Sequence, residues 1–233
     1  MSLPRIDVPS YTCTLPSSGQ QLQFRPFLVK EQKQLLIALG GDEHQQMQTV
    51  KHVVAVCFAD NDLNVEQLSA YDIEYLFMQL RIRSVGETVD LVLTCAECGN
   101  KQDSVLDLQT VKVNKPKNHV HDLELAQDLV IKLRDPNMHE VAAIKQATTV
   151  DDIIVIIASC ITGIWKNDEL FDVRDYSLQQ LVEFVENLSP AHLEKFNEFF
   201  KTLPSLTHTL DYTCTKCEAN NTAVLEGLQS FFV

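Results

Sequence analysis

The sequence is short of turn-forming residues and of positive charge. Its 233 residues include only 7 Gly and 8 Pro, and 19 Lys and Arg stand against 32 Asp and Glu, which gives a net charge of −13. With 45% hydrophobic and 22% charged residues, this composition excludes disordered, collagen-like and low-complexity chains and favours long regular elements. The lack of clustered cations argues against binding to nucleic acid through its phosphates.

The sequence also has no long hydrophobic run. Its longest strongly apolar stretch, Ile153 to Trp165, is interrupted by Ser159, Thr162 and Gly163, whereas a membrane-spanning helix needs about 20 predominantly apolar residues. The first residues, MSLPRIDVPSYT, lack the apolar core of a signal peptide. We therefore expect a soluble protein with no membrane span that stays in the compartment where it is made.

Cysteine is present, but not in the pattern of a disulfide framework. The count of seven is odd, and no signal peptide directs the chain to an oxidising compartment. Three cysteines are isolated and four form two identically spaced CxxC doublets: Cys13, Cys57 and Cys160, then Cys95 with Cys98 and Cys214 with Cys217. Paired CxxC doublets indicate a metal site.

Hydrophobic periodicity and capping residues predict an α+β fold, a helical body with short antiparallel hairpins. The predicted helices cover residues 29–39, 42–57, 69–83, 138–147, 150–161, 177–188 and 190–203, and the predicted strands and hairpins cover 10–27, 88–107, 129–133, 163–172 and 206–213. The polar segment 114–122 is predicted to be a linker or exposed loop. We expect the helix at 150–161 to be buried, because it is apolar almost all round, and Leu35, Leu36 and Leu39 to share one face of the first helix.

An internal repeat links the two doublets. Residues 94–107 align without gaps onto residues 213–226, with each doublet at the same place in its copy. The alignment predicts two equivalent strand–turn–strand hairpins. The run Tyr11-Thr-Cys-Thr repeats Tyr212-Thr-Cys-Thr, which leaves open a third copy that lacks the second cysteine.

The two doublets predict one structural zinc site. Zn²⁺ in structural sites takes four tetrahedral thiolate or imidazole ligands, and each CxxC turn supplies two. The predicted zinc-ribbon-like site therefore consists of Cys95, Cys98, Cys214 and Cys217. Three alternatives remain: vestigial doublets, redox pairs, although no thioredoxin-like context surrounds them, and separate metals bound in an oligomer.

A zinc site of this kind predicts a single zinc-stapled unit over residues 1–233. Its subregions are a hairpin with helices (1–86), the first CxxC hairpin (87–113), a mainly helical insert (114–204) and the second CxxC hairpin with the C-terminal tail (205–233). Four cysteines leave no open position for a catalytic water. No nucleotide-binding or metalloprotease motif is present, so we expect no enzymatic activity.

Several other residues receive structural interpretations. His119 and His121 are interpreted as solvated loop histidines rather than metal ligands. The isolated cysteines are interpreted as small core residues. The pair Phe231-Phe232 is expected either to pack on the second CxxC hairpin or to anchor a partner.

The chain resembles a known family over about residues 3–232, through short motifs in a specific order and spacing. They are Leu15-Pro-Ser-Ser-Gly19, Phe24-Arg-Pro-Phe-Leu-Val-Lys-Glu31, Asp72-Ile-Glu-Tyr-Leu-Phe77 with Leu80 and Arg81, Ser84-Val-Gly-Glu87, Asp175-Tyr-Ser177, Leu203-Pro204 with His208, Cys214, and Leu225-Glu-Gly-Leu228 with Phe231-Phe232. On these motifs the chain resembles the baseplate hub assembly proteins of T4-like contractile-tailed bacteriophages.

The resemblance implies a structural or assembly role in the tail baseplate, with other baseplate or hub proteins as partners. It implies assembly in the host cytoplasm, a location in the virion tail and no enzymatic activity. The alternative from the residues alone is a zinc-ribbon regulator that binds nucleic acid or a polymerase, and the acidic composition argues against it. An enzyme of unrecognised type is the third possibility.

Overall fold

The chain combines helices with short antiparallel sheets in two compact units. The computed structural model describes residues 6–167 and 169–227, and these form seven α-helices and eleven strands, all paired antiparallel. The discontinuous unit comprises the described residues up to Asn114 and from Ser205, and the inserted unit is Lys115–Pro204. The predicted mixture of helices and antiparallel hairpins is confirmed. Within the described ranges, no helix has the length and apolarity needed to cross a membrane.

The first half of the discontinuous unit is a hairpin followed by three helices. The elements are β1 (Tyr11–Thr14), β2 (Gln21–Phe24), α1 (Val29–Ala38), α2 (Glu43–Cys57) and α3 (Ala70–Ser84). Asp42 caps α2 as predicted, since its side chain accepts a hydrogen bond from the Gln45 amide at 2.8 Å. The buried Asp72 side chain ties the hairpin to α3, because it accepts bonds from the Ser17 amide (3.0 Å) and the Ser69 hydroxyl (2.7 Å).

Helix α1 is present as predicted, but its apolar face is exposed. Leu36 and Leu39 are 62% and 61% exposed, whereas the helix buries Glu31 and Ala38. The Glu31 carboxylate accepts hydrogen bonds from Arg25 at 2.9 Å and from the Leu28 amide at 2.8 Å. These bonds orient the first turn of α1 so that a bonded carboxylate, and not the leucines, faces the protein.

The second half of the discontinuous unit contains the two CxxC hairpins. The strands are β3 (Thr88–Thr94), β4 (Lys101–Asp107), β5 (Lys112–Asn114), β10 (Ser205–Thr213) and β11 (Asn220–Glu226). β3 pairs with β4, and β10 lies between β5 and β11. Alternate residues of β3 are buried, and two of them, Val89 and Leu91, pack in one core with Met78 and Ile82 of α3 and Leu206 of β10. This shared core holds β3 and β10, the strands that lead into the doublets, against the same helix.

The inserted unit packs four helices with a four-stranded sheet. Its elements are β6 (Asp122–Ala126), β7 (Leu129–Leu133), α4 (Met138–Gln146), α5 (Val150–Cys160), β8 (Ile161–Lys166), β9 (Glu169–Phe171), α6 (Leu178–Glu186) and α7 (Pro190–Lys201). The strands follow chain order in the sheet. β6 was not predicted, because only Leu123 and Leu125 alternate with acidic residues there, a signal too short to separate from the polar segment before it.

Helix α5 is only partly buried, so the expectation of full burial was wrong. Ile156, Ile157 and Cys160 lie in the core of the inserted unit, but Val150 and Val155 are 63% and 44% exposed. A helix that is apolar on every side can be buried on every side. How many of its sides are covered depends on how many neighbouring elements pack against it.

A half-buried ion pair joins the end of β7 to α4 and α5. Arg134 donates two hydrogen bonds to the Glu140 carboxylate, at 2.6 and 2.8 Å, and one to the Ser159 carbonyl at 2.9 Å. Glu140 also accepts bonds from the Ser159 hydroxyl and the Asn137 amide. Burial raises the pKa of Glu140, but the bonds from Arg134, Asn137 and Ser159 outweigh it and leave this pKa below its ordinary value.

We predict that Glu140→Ala destabilises the protein by about 2 kcal/mol, because it leaves Arg134 without its partner and removes half of the α4 capping box. Since the pKa of Glu140 is lowered in the folded protein, its contribution to the free energy of unfolding is fully present above the ordinary pKa of 4.5. This contribution is lost as the pH falls through the folded pKa. Denaturant titrations at neutral and acid pH measure both effects.

The exposed α6 residue Glu183 is the control, and Glu183→Ala is expected to change stability by less than about 0.5 kcal/mol. Equal stability of the two variants at neutral pH would contradict the prediction.

Candidate metal centre

The two CxxC doublets lie in turns of the same geometry. In the first knuckle, Cys95–Asn100, the Cys95 amide donates to the Asn100 carbonyl at 2.9 Å and the Gly99 amide donates to the Cys95 carbonyl at 3.0 Å. The second knuckle, Cys214–Ala219, repeats both bonds at 2.9 and 3.0 Å. Gly99 and Glu218 occupy the equivalent left-handed position, with φ of 67° and 59°. The repeat seen in the sequence is therefore a repeat of backbone structure.

The N-terminal hairpin contains a third knuckle without thiols. The Leu15 amide donates to the Gln20 carbonyl at 2.8 Å, the Gly19 amide donates to the Leu15 carbonyl at 2.9 Å, and Gly19 has a φ of 74°. Leu15 and Ser18 thus take the positions of the two cysteines. The match of Tyr11-Thr-Cys-Thr to Tyr212-Thr-Cys-Thr is two residues out of register, because Cys13 lies within β1 and is buried.

The four doublet sulfurs meet in one cluster. The Sγ atoms of Cys95 and Cys217 are 3.7 Å apart, as are those of Cys98 and Cys214, and all four lie within 4.8 Å of one another. A disulfide requires about 2.05 Å, whereas sulfurs at the corners of a tetrahedron with metal–sulfur bonds of about 2.3 Å are about 3.8 Å apart. The arrangement is therefore one that can hold a four-coordinate metal ion.

Burial of the cluster is asymmetric within each doublet. The first cysteines, Cys95 and Cys214, are 2% and 1% exposed, while Cys98 and Cys217 are exposed. Each first cysteine directly follows the strand that packs on α3, so the hydrophobic core positions half of the cluster. The second cysteines are positioned by the turns alone.

Backbone amides favour the thiolate form of the buried pair. Hydrogen bonds from the Cys98 and Glu97 amides lower the pKa of Cys95, and those from the Cys217 and Lys216 amides lower the pKa of Cys214 to about 6. The Ala219 amide acts in the same direction on Cys217, but the neighbouring thiols, Cys98 foremost, raise its pKa to about 12. Thiolates in contact repel one another, so only a cation makes full deprotonation of the cluster favourable.

Two side-chain amides join the knuckles in a reciprocal way. The Asn221 carboxamide oxygen accepts a hydrogen bond from the Ala96 amide at 2.9 Å, and the Gln102 carboxamide oxygen accepts one from the Thr215 amide at 2.9 Å. Gln102 and Asn221 are equivalent in the repeat, as are Ala96 and Thr215. The two hairpins are therefore related by an approximate two-fold axis through the sulfur cluster.

The carboxamides of Asn221 and Asn100 donate to the sulfurs. The Asn221 Nδ2 lies 3.5 Å from the Cys95 sulfur, and the Asn100 Nδ2 lies 3.9 Å from the Cys214 sulfur. The Tyr212 hydroxyl adds a bond to the Thr94 carbonyl at 2.8 Å. These outer partners were not predicted from the sequence, although the repeat carries a signal, since it places a carboxamide side chain, Gln102 or Asn221, at the same position of both copies.

The other residues considered in the sequence have different outcomes. Cys57 and Cys160 are buried as predicted, and burial raises their pKa values to about 11 and 12. The expectation that His119 is solvated was wrong, because its side chain is 6% exposed and lies 2.8 Å from Asp135. Phe231-Phe232 lies outside the described residues.

The fold and this centre define the class as a mixed α and β protein whose two hairpins converge on a four-cysteine site able to hold a metal. Residues 8–233 match the family model described as T4 bacteriophage base plate protein. The chain belongs to this family and is a phage baseplate component. No curated protein and no solved structure matches the chain.

We predict that Asn221→Ala accelerates hydrogen exchange of the Ala96 amide by about 5-fold or more, since the loss of one hydrogen bond is worth about 1 kcal/mol. The Thr215 amide, held by Gln102, is expected to change less, and exchange measured by NMR resolves the two. The control is Asn220→Ala, because that carboxamide accepts a bond from Thr213 within its own hairpin. Equal acceleration in both variants would contradict the reciprocal arrangement.

Proposed function

We propose that the protein is a structural or assembly component of the hub of a contractile phage tail baseplate. It acts through contacts with other baseplate or hub proteins and contains a structural zinc ion. The match over residues 8–233, nearly the whole chain, is the observation that carries the baseplate role. Assembly in the host cytoplasm and a place in the virion tail belong to the same proposal.

We assign the zinc ligands as Cys95, Cys98, Cys214 and Cys217. Tetrahedral thiolate sites favour Zn²⁺ among the common divalent ions, and the 3.7 Å sulfur separations fit its bond lengths. Four protein ligands complete the shell, so the ion has no position for a substrate or a catalytic water. We therefore expect a structural ion and a protein without enzymatic activity.

The energetics support a zinc that closes a long loop. Cys98 and Cys214 are 116 positions apart, and closing a loop of this size constrains the unfolded chain by about 4–5 kcal/mol. Structural zinc in small peptides provides about 10–16 kcal/mol at neutral pH. The free energy of zinc binding thus exceeds the cost of closing the loop, and the ion can hold the two hairpins together. On this basis we infer that residues 1–233 behave as a single zinc-stapled unit.

The alternative function is a zinc-ribbon regulator that binds nucleic acid or a polymerase, and the charge of the hairpins disfavours it. Within residues 87–107 and 205–226 the surface carries eight acidic residues but only two exposed lysines, Lys101 and Lys216. The exposed acids are Glu87, Asp90, Glu97, Asp103, Asp107, Asp211, Glu218 and Glu226. A face that binds phosphates needs the opposite balance.

We predict that purified protein contains about one zinc ion per chain, and that Cys95→Ser or Cys214→Ser gives insoluble or protease-sensitive protein and blocks baseplate formation. Removal of the ion by a chelator is expected to unfold the discontinuous unit and the inserted unit in one transition. Metal analysis, proteolysis and circular dichroism measure these effects.

The matched control is Cys57→Ala, which removes a buried thiol that is not in the sulfur cluster. This variant is expected to keep its zinc and to lose about 1 kcal/mol of stability. Normal folding of both serine variants without zinc would refute the structural ion. Two separate transitions on chelation would refute the single unit but not the ion.

We predict that the protein co-purifies with other baseplate or hub proteins from infected cells, and that it shows no tight, salt-sensitive binding to DNA or RNA in filter assays at low salt. Both assays use the full chain with its zinc. Tight binding that weakens steeply with added salt would favour the regulator, and co-purification with a polymerase would do the same. Recovery of baseplate subunits from outside the hub would overturn the assignment to the hub.

A further inference from the structure

A second cluster of metal-ligating side chains lies within the inserted unit. His119 and His121 precede β6, and Asp135 follows β7. The Nε2 atom of His119 is 2.8 Å from one Asp135 carboxylate oxygen, and the Nε2 atom of His121 is 4.0 Å from the other. One ligand atom from each of the three residues can be chosen so that all lie within 4.8 Å of one another.

The hydrogen bond of His121 determines its tautomer. Its Nδ1 is 3.0 Å from the Leu133 backbone carbonyl. A carbonyl oxygen can only accept, so Nδ1 carries the proton. The Nε2 atom of the neutral ring is then an unprotonated acceptor on the side of Asp135. Metal-binding histidines commonly use this arrangement, in which the nitrogen away from the ion donates to a backbone carbonyl.

His119 can adopt the same arrangement through a hydroxyl. Its Nδ1 is 3.1 Å from the Thr202 Oγ1, which itself lies 3.0 Å from the Glu198 and Phe199 carbonyls. When the hydroxyl donates to one of those carbonyls, its oxygen accepts from the His119 Nδ1–H, and Nε2 presents a lone pair to Asp135. This is the tautomer that binds a metal ion. In the other tautomer the hydroxyl donates to Nδ1, and the Nε2–H donates to the Asp135 carboxylate, 2.8 Å away.

We propose that His119, His121 and Asp135 form a second metal site, for a divalent transition ion such as Zn²⁺. Two imidazoles and a carboxylate suit zinc and its neighbours in the first transition row, whereas Mg²⁺ and Ca²⁺ prefer oxygen ligands alone. Metal–ligand bonds of about 2.0–2.2 Å put neighbouring ligand atoms about 3–3.5 Å apart. The two separations of 2.8 and 4.0 Å bracket that range, so small side-chain movements bring all three onto one ion.

One side of the site is buried against an aromatic ring, and the other side is open to solvent. The Phe199 ring, itself buried, lies 4.7 Å from the His119 ring and 6.1 Å from the His121 ring. The His119 and Asp135 side chains are 6% and 8% exposed, but His121 is 45% exposed. The ion therefore enters beside His121 and, with three protein ligands, keeps open coordination positions there. This differs from the closed four-cysteine centre, and the proposal does not depend on that centre.

The test counts ions bound by the full chain with its cysteines intact. Protein is dialysed against Zn²⁺, and bound metal per chain is measured by mass spectrometry for the wild type, His121→Ala and Asp135→Asn. We expect the wild type to bind one ion more than either variant, since loss of a ligand weakens binding more than the 10–100-fold typical of an outer partner. His121→Ala changes a half-exposed residue and Asp135→Asn keeps the side-chain shape, and circular dichroism checks that both fold.

The matched control is His52→Ala, which removes an exposed histidine from α2 and is expected to leave the count unchanged. Co²⁺ bound at the second site is expected to lack the intense sulfur-to-metal absorption of a thiolate centre. If the same count is found for the wild type and both variants, the proposal is overturned, and a proton rather than a metal joins His119 to Asp135. A second ion that is lost equally in His52→Ala, or that Mg²⁺ displaces equally well, would also overturn it.

Discussion

The contact between two knuckles that are far apart in the chain joins the two CxxC hairpins and builds the four-cysteine centre. Cys98 and Cys214, 116 positions apart, place their sulfurs 3.7 Å from each other, and the whole inserted unit lies between them in sequence. Thiolates at this distance repel, so the contact requires compensation. The backbone amides of each knuckle, the Asn100 and Asn221 side chains and a bound cation can together supply it. The strands on either side then only need to pack on α3.

Repetition of one local structure makes this contact possible. A turn that positions two cysteines on one side is symmetric with its copy, so two copies can face each other and exchange the same bonds, as Gln102 and Asn221 do. The third knuckle keeps the backbone of this turn with Leu15 and Ser18 in place of cysteine. The backbone turn therefore does not require cysteines, and the cysteines add a contact between turns. The backbone turn shapes each hairpin, and the cysteines join the two hairpins, so different residues determine the two features.

The two clusters would select ions by different chemistry. Four thiolates form a soft, closed shell that favours a permanently held ion, while two imidazoles and a carboxylate form a harder and open one. In both, outer hydrogen bonds set the state of a ligand: amides stabilise thiolates in one, and the Leu133 carbonyl fixes the tautomer of His121 in the other. The residues that form these outer hydrogen bonds are not part of the sequence motifs, such as CxxC, by which metal ligands are identified.

Local patterns in the sequence predicted most of the elements, several of their caps and the pairing of the two CxxC doublets. The β3 strand, the Asp42 cap and the equivalence of the CxxC hairpins all follow from neighbouring residues, because periodicity and capping act within a few positions. Only the tertiary structure decided which apolar faces are covered: α1 and α5 present leucine and valine to solvent, since periodicity marks a face but not its partner. It also decided that His119 is buried beside Asp135 and that Asn221 reaches the first knuckle. Those contacts join residues 16 and 125 positions apart. Local sequence patterns do not indicate contacts between residues so far apart in the chain.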